Sequence, residues 1–193
     1  MNHEPPLEFF HRWYVQAQQT EPRVPDAMQL ATVDSDGRPW VRTVLMKGLD
    51  EHGLLFFTNY HSPKGVQVDS EPRVSLCFHW KDLARQVLIG GVAHRLSAEE
   101  SRAYFNTRPR GSQIGAWASN QSKKIDSREA LHSQVAAAVA RFENGPVPCP
   151  PQWGGYRVVI SRWEFWQDQA DRLHDRFVYE REGETWRVHR VQP

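Results

Sequence analysis

The chain has 193 residues, 39% of them apolar and 24% charged, with a formal net charge of +1 at pH 7. That length holds one sizeable domain or two small ones. Near-neutrality excludes the overall positive field that gathers nucleic acid or an anionic membrane, so any anion must be bound by local clusters of Arg and Lys.

Met1-Asn2-His3-Glu4-Pro5-Pro6 has neither the basic start nor the apolar core of a signal peptide. No apolar run approaches the roughly 20 residues that span a bilayer. Pro5 to Gln19 predicts a helix with Leu7, Phe10, Tyr14 and Ala17 as its apolar stripe, ended by Pro22 and Pro25. Strand patterns follow: 28–33, the turn signal Asp34-Ser35-Asp36-Gly37, 40–46, a second turn at Asp50–Gly53, and 54–58. A short helix is expected over 62–68, then strands over 73–80 and 85–96.

Ser97-Ala98-Glu99-Glu100 is a capping box opening a helix to about Thr107, and Asp126 is read as the cap of another helix running through Phe142. Four strand segments finish the chain: 156–160, 163–166, 173–179 and 185–191. Gly90-Gly91 and Gly154-Gly155 read as bulges or bends. Many short strands joined by tight turns, with a few peripheral helices, predict a mainly β fold closed as an antiparallel barrel. The chain has neither G-x-G-x-x-G nor Walker A sequence, so side chains would have to hold any nucleotide-like cofactor. Cys77 and Cys149 are too few for a disulfide framework and fit a reducing, cytoplasmic compartment; neither has a partner at metal-ligand spacing.

Two stretches carry the residue types that bind phosphate. Arg108 to Lys124 mixes cations, hydroxyls and amides with little apolar periodicity, which fits either a solvated loop or a phosphate site. In Arg172-Leu173-His174-Asp175-Arg176-Phe177, strand alternation would put Arg172, His174 and Arg176 on one face. Three potential cations together repel one another unless an anion joins them, though a plain surface face has the same pattern.

Taken in order and spacing, these segments resemble the pyridoxine/pyridoxamine 5'-phosphate oxidase family from about Leu7 to Pro193. The matching stretches include Ala31–Asp34, Arg42–Lys47, Thr58-Asn59, Arg85–Val87, Tyr104-Phe105, Arg108–Arg110 and Ser112–Trp117. Gln121-Ser122, Trp153–Gly155, Glu164–Gln167 and Arg172–Phe177 complete the set. The resemblance implies an FMN-binding split β-barrel over residues 1–193, with an N-terminal helix over 1–20 and C-terminal strands over 153–193 completing the active site. It further implies a homodimer with two sites at the subunit interface, oxidising phosphorylated B6 vitamers with dioxygen.

Carried over residue by residue, Arg42, Lys64, Gln86, Gln121, Ser122, Trp166 and Arg176 are expected to contact FMN. Thr43, Val44, Leu45 and Met46, running into Lys47, should line the flavin with Phe57 and Thr58 beside it. Lys47, Tyr104, Arg108 and Ser112 should hold the substrate phosphate. Arg172 and His174, with Leu173 between them, should lie over the pyridine ring near the reacting carbon.

The chain departs from the family pattern in four places. Ser62-Pro63-Lys64 stands where Ser-Arg-Lys is usual, and Trp166-Gln167-Asp168-Gln169 replaces Trp-Gln-Gly-Gly. Val24 replaces an acid, and the family's basic N-terminal segment is missing. FMN affinity, the turn before Arg172 and lid closure are the properties these departures touch. The rival readings are a related flavin oxidase of phenazine-type biosynthesis, and a non-catalytic flavin- or heme-binding carrier of the same fold.

Overall fold

The computed structural model describes residues 4–21 and 23–193. Met1–His3 and the expected helix stop at Pro22 lie outside them. Among the described residues are five helices and nine strands, all antiparallel.

Helix α1 (Pro6–Thr20) opens with proline, whose missing N–H is no loss in the first turn. It buries Pro6, Phe10, Trp13 and Ala17, and Tyr14 packs half-buried against the same core; of the expected stripe Leu7 is not fully buried, and Trp13 is an addition. Strands β1 (Ala27–Val33) and β2 (Pro39–Leu45) form the expected hairpin, with Asp34 Oδ1 accepting from the amides of Asp36 and Arg38. Strand β3 (Gly48–Asp50) is a short addition that the sequence pattern did not show; β4 (Gly53–Asn59) pairs with it. Helix α2 (Pro63–Ser70) is capped by Ser62. Strands β5 (Arg73–Trp80) and β6 (Arg85–Arg95) follow, then α3 (Ala98–Thr107), whose capping box is present.

Three expectations are corrected beyond this point. Arg110–Ala118 is a helix, α4, where a loop was expected. Helix α5 (Arg128–Arg141) is capped by Ser127 rather than Asp126. The two segments expected over 156–166 are one fifteen-residue strand, β7 (Trp153–Gln167). Strands β8 (Asp175–Glu182) and β9 (Thr185–Arg190) close the chain.

The sheet order is β2-β1-β5-β6-β7-β4-β3, with β8 on β7 and β9 on β8. The ring is drawn shut where β2 runs into β3, and the Lys47 amide donates to Leu55 O at 2.8 Å. Strand β7 changes partners along its length: residues 153–158 pair with β4, and 162–167 pair with β8. The expected bulge falls between Gly90 and Gly91. Gly154 and Gly155, however, sit in regular pairing opposite Thr58 and Phe57. They are glycines because of close approach: a Cβ on Gly155 would lie 2.7 Å from Phe57 Cε1.

The main core gathers Phe10, Leu30, Phe56, Phe78, Trp80, Trp163 and Phe165, each at most 2% exposed. Burying a large apolar side chain of this kind contributes roughly 1.5–3 kcal/mol. A smaller cluster of Phe105, Ile114, Ala118, Ala138, Val147 and Trp153 fastens α3, α4 and α5 to the start of β7. That second cluster places Arg108, between α3 and α4, against the barrel.

Candidate active site

Arg42 leaves the middle of β2, opposite Leu30. Its guanidinium bonds to Thr32 Oγ1, to Leu30 O at 3.3 Å and to Gln67 Oε1 at 2.9 Å. All three acceptors are neutral, and burial pushes the group below its ordinary pKa. Lys64, in the first turn of α2, reaches Thr58 Oγ1 at 3.3 Å and Ser62 Oγ at 3.4 Å. Burial and the charge of Arg42 both lower its pKa. Gln121 Oε1 accepts from Thr58 Oγ1 at 3.3 Å, which brings the amide into the same group. Two partly buried cations close enough to repel, with neutral partners only, hold a place for an anion.

Next to them lies Arg108. One of its terminal nitrogens, Nη1, is buried and has no hydrogen-bond partner among the described residues. Its carbon Cζ stands 4.6 Å from the Trp153 ring centroid, and burial lowers its pKa. Buried donors are usually paired, so Nη1 is a donor open to an acceptor that enters the cleft. Phe57 stacks on Tyr104 at 3.9 Å between centroids and on Trp153 at 5.4 Å, making a flat aromatic wall.

Thr43, Val44, Leu45, Lys47, Phe57, Thr58, Lys64, Tyr104, Arg108 and Gln121 line one cleft of about 270 Å³. An adjoining cleft of about 370 Å³ shares Phe57, Thr58, Arg108 and Gln121 and adds Ser112 of α4. Lys47 is not free: its ammonium pairs with Asp26 at 2.8 Å. Met46 turns its side chain into the core, so only its backbone can follow the cleft. Ser122, with φ of 68°, lines a neighbouring hollow beside Pro63 and Gln67.

The remaining expected residues form a second group. Gln86 pairs with Trp166 across β6 and β7, and Trp166 pairs with Arg176 across β7 and β8. The alternation expected from Arg172 to Arg176 fails, because β8 begins only at Asp175. Arg172 instead ends a 3-10 turn (Ala170–Arg172) with φ of 61°, and Leu173 and His174 follow outside any strand. Two of the three potential cations also have acids beside them. Arg176 Nε donates at 3.0 Å to Glu164 Oε1, and Glu164 also takes Arg162 at 2.7 Å. Burial pushes the Glu164 carboxyl up, but the two guanidinium bonds outweigh it and hold it below the usual range. His174 Nδ1 lies 3.0 Å from Asp168 Oδ1.

The two groups sit at opposite ends of β7. Trp153 is at the first cleft and Trp166 at the second group, thirteen residues apart; at about 3.3 Å per residue the strand between them measures roughly 40 Å. The expected site residues of one chain therefore fall into two separate groups. Glu164, Asp168, Thr32 and Gln67 were not expected in them. An Arg-x-Glu at strand spacing was the available signal for Glu164; nothing in the local pattern marked the others.

A profile described as Pyridoxamine 5'-phosphate oxidase matches residues 15–141, and one described as Pyridoxine 5'-phosphate oxidase C-terminal dimerisation region matches residues 153–193. A pyridoxine/pyridoxamine 5'-phosphate oxidase of Rubrobacter xylanophilus is 54% identical over 97% of this chain and 87% of its own length. One of Escherichia fergusonii is 48% identical over 97% and 86%. Among solved structures, PhzG of Burkholderia lata, in complex with tetrahydrophenazine-1-carboxylic acid, superposes with a TM-score of 0.92 at 32% identity, covering 100% of this chain and 94% of that one. A pyridoxamine 5'-phosphate oxidase-related FMN-binding protein of Nostoc punctiforme has the same fold at TM-score 0.78 and 17% identity, covering 99% and 100%.

Proposed function

The chain belongs to the pyridoxine/pyridoxamine 5'-phosphate oxidase family, and from that premise we propose that it binds FMN and converts pyridoxamine or pyridoxine 5'-phosphate to pyridoxal 5'-phosphate. The cleft that Lys64 and Arg108 face without an acid carries this reading. It suits phosphate esters, and both the cofactor and the substrate are phosphate esters.

The chemistry that FMN would supply there is two-electron oxidation of the substrate, with dioxygen as the final acceptor and hydrogen peroxide as the by-product. Arg42, Lys64, Gln121 and Ser122 hold its phosphate, while 43–46 and the Phe57-Thr58 pair flank its rings. Lys47, Tyr104, Arg108 and Ser112 take the substrate phosphate; Arg108 supplies the bidentate fork and its unmet nitrogen. The second half-site comes from the partner subunit of a homodimer: Gln86, Trp166 and Arg176 complete the FMN pocket, and Arg172 and His174 cover the substrate ring. Fixing both molecules in this way supplies the near-attack geometry on which hydride transfer depends.

The phenazine-type rival shares the fold, but identity is 54% and 48% to the vitamin oxidases against 32% to PhzG. No helix among the described residues is long and apolar enough to cross a membrane. Both cysteines are free, which fits a reducing, cytoplasmic compartment. The test is direct. Purified protein should be yellow with one flavin per subunit, and should release hydrogen peroxide when pyridoxamine 5'-phosphate is added. A colourless protein that added FMN does not reconstitute overturns the reading.

A further inference from the structure

The turn between β7 and β8 closes around one ring nitrogen. Asp171 and Arg172 take φ of 56° and 61° there, a conformation costly for residues other than glycine. Side chains lace the turn shut. Gln169 Nε2 donates to Asp175 Oδ2 at 3.0 Å, and Arg190 pairs with the other Asp175 oxygen at 2.8 Å. The His174 ring lies against Trp166, centroids 4.7 Å apart, and points Nδ1 into the turn.

At Nδ1 two neighbours make opposite demands. Asp168 Oδ1, at an ion-pair distance of 3.0 Å, favours a proton on that nitrogen. The Gln169 backbone N–H, at 3.3 Å, requires its lone pair. One nitrogen cannot satisfy both. The shorter contact and the full negative charge favour the carboxylate.

We propose that Asp168 is a positioning residue that keeps a proton on His174 Nδ1 and fixes the ring against Trp166, leaving Nε2 as the nitrogen that meets the substrate. This rests on the placement of His174 over the substrate ring given above. Asp168 acts only through the imidazole. Its side chain is 51% exposed, so the pair adds little to fold stability. Its effect is to decide which nitrogen carries the proton. With Nδ1–H held, Nε2 of the neutral ring is an acceptor. Without Asp168, the Gln169 amide captures Nδ1, the proton moves to Nε2, and the acceptor facing the substrate becomes a donor.

Selective 15N labelling of histidine reads the tautomer of the neutral ring, both in cofactor-free and in FMN-loaded protein. His174→Gln identifies the signal among the nine histidines. The wild-type ring should carry its proton on Nδ1. Asp168→Asn, which keeps an acceptor oxygen, should retain that form, and Asp168→Ala should switch it to Nε2. Flavin reduction at saturating pyridoxamine 5'-phosphate should fall about tenfold in Asp168→Ala and about two- to threefold in Asp168→Asn, with KM nearly constant.

An Nε2-protonated His174 in the wild type, or an Nδ1-protonated one in Asp168→Ala, overturns the proposal whatever the rates. So does a switched tautomer with wild-type flavin reduction in a protein where His174→Gln is slow. Equal loss of Tm in the two Asp168 variants with an unmoved tautomer would mark a purely structural contact, and overturns it too. If His174→Gln reduces flavin at the wild-type rate, the placement of His174 fails instead, while the tautomer still decides whether Asp168 sets the ring.

Discussion

Arg108 Nη1, shielded beside Trp153, makes no hydrogen bond to another described residue and so remains a donor that the protein itself does not satisfy. A phosphate oxygen relieves that state, and a charge-assisted bond of this kind is worth roughly 1.5–3 kcal/mol. Arg108→Ala should therefore raise KM about ten- to a hundredfold while FMN stays bound; steady-state kinetics and flavin fluorescence measure the two separately, and an unchanged KM would mean that Arg108 points elsewhere. Glu164, 5% exposed, makes the opposite kind of demand, since two arginines share its one carboxylate. Its folded pKa is depressed, so its stabilisation is present above the ordinary carboxylate range and disappears as pH falls through the folded value. Glu164→Gln should cost about 2 kcal/mol at neutral pH, below the usual loss for a broken buried pair because Arg162 and Arg176 keep some water. The gap from the wild type should close in acid, as denaturation at a series of pH values will show. Pattern reading found Arg108 and Arg176, because cations in a polar run stand out. It could not pair Glu164 with Arg176, since that depends on register between β7 and β8.

Helix α2 shows how an element can carry a site through its cap. Ser62 is fully buried, accepts the Gly65 amide at 3.4 Å and also meets the Lys64 ammonium. Pro63 sits comfortably in the first turn. Pro63, which stands where the resemblance implies an arginine, thus starts the helix that presents Lys64. Ser62→Ala should cost about 1–2 kcal/mol in stability and weaken FMN binding about three- to tenfold; calorimetry and flavin titration check both, and unchanged FMN affinity would sever the cap from the site. Elements with local signals were legible in the sequence: the Ser97–Glu100 capping box, the Asp34–Gly37 hairpin and the Gly90-Gly91 bulge. Helix α4 was not, because Gly111, Ser112 and Gly115 break its apolar stripe and only Ile114 and Ala118 are buried. The start of β8 was misread because alternation is blind to the two positive φ values that hold Asp171 and Arg172 in a turn. Strand β7 looked like two strands because its glycines and Ser161-Arg162 resemble breaks, whereas tertiary close packing explains the glycines.

At the scale of the whole molecule, the separation of the half-sites makes a prediction that no single chain can satisfy. If each centre joins Arg108 of one subunit to Arg172 of the other, an Arg108→Ala chain and an Arg172→Leu chain are each nearly inactive alone. Mixed after reversible dissociation, half the dimers become heterodimers, and each of these has one intact centre. Activity should recover to about a quarter of the wild-type level under two-fold symmetry. Sites confined to one chain would give no recovery. The strand that separates the halves also acts as a ruler. Its pairing with β6 runs nearly end to end, so the spacing between the two ends is set by the count of residues in β7. Length changes can be absorbed in a connection such as 142–152, but not there. One residue removed between Trp153 and Gln167 would shorten the gauge by a single step and turn every side chain beyond it to the opposite face. If each subunit lends one end to each centre, as proposed above, both centres in the dimer would go out of alignment together.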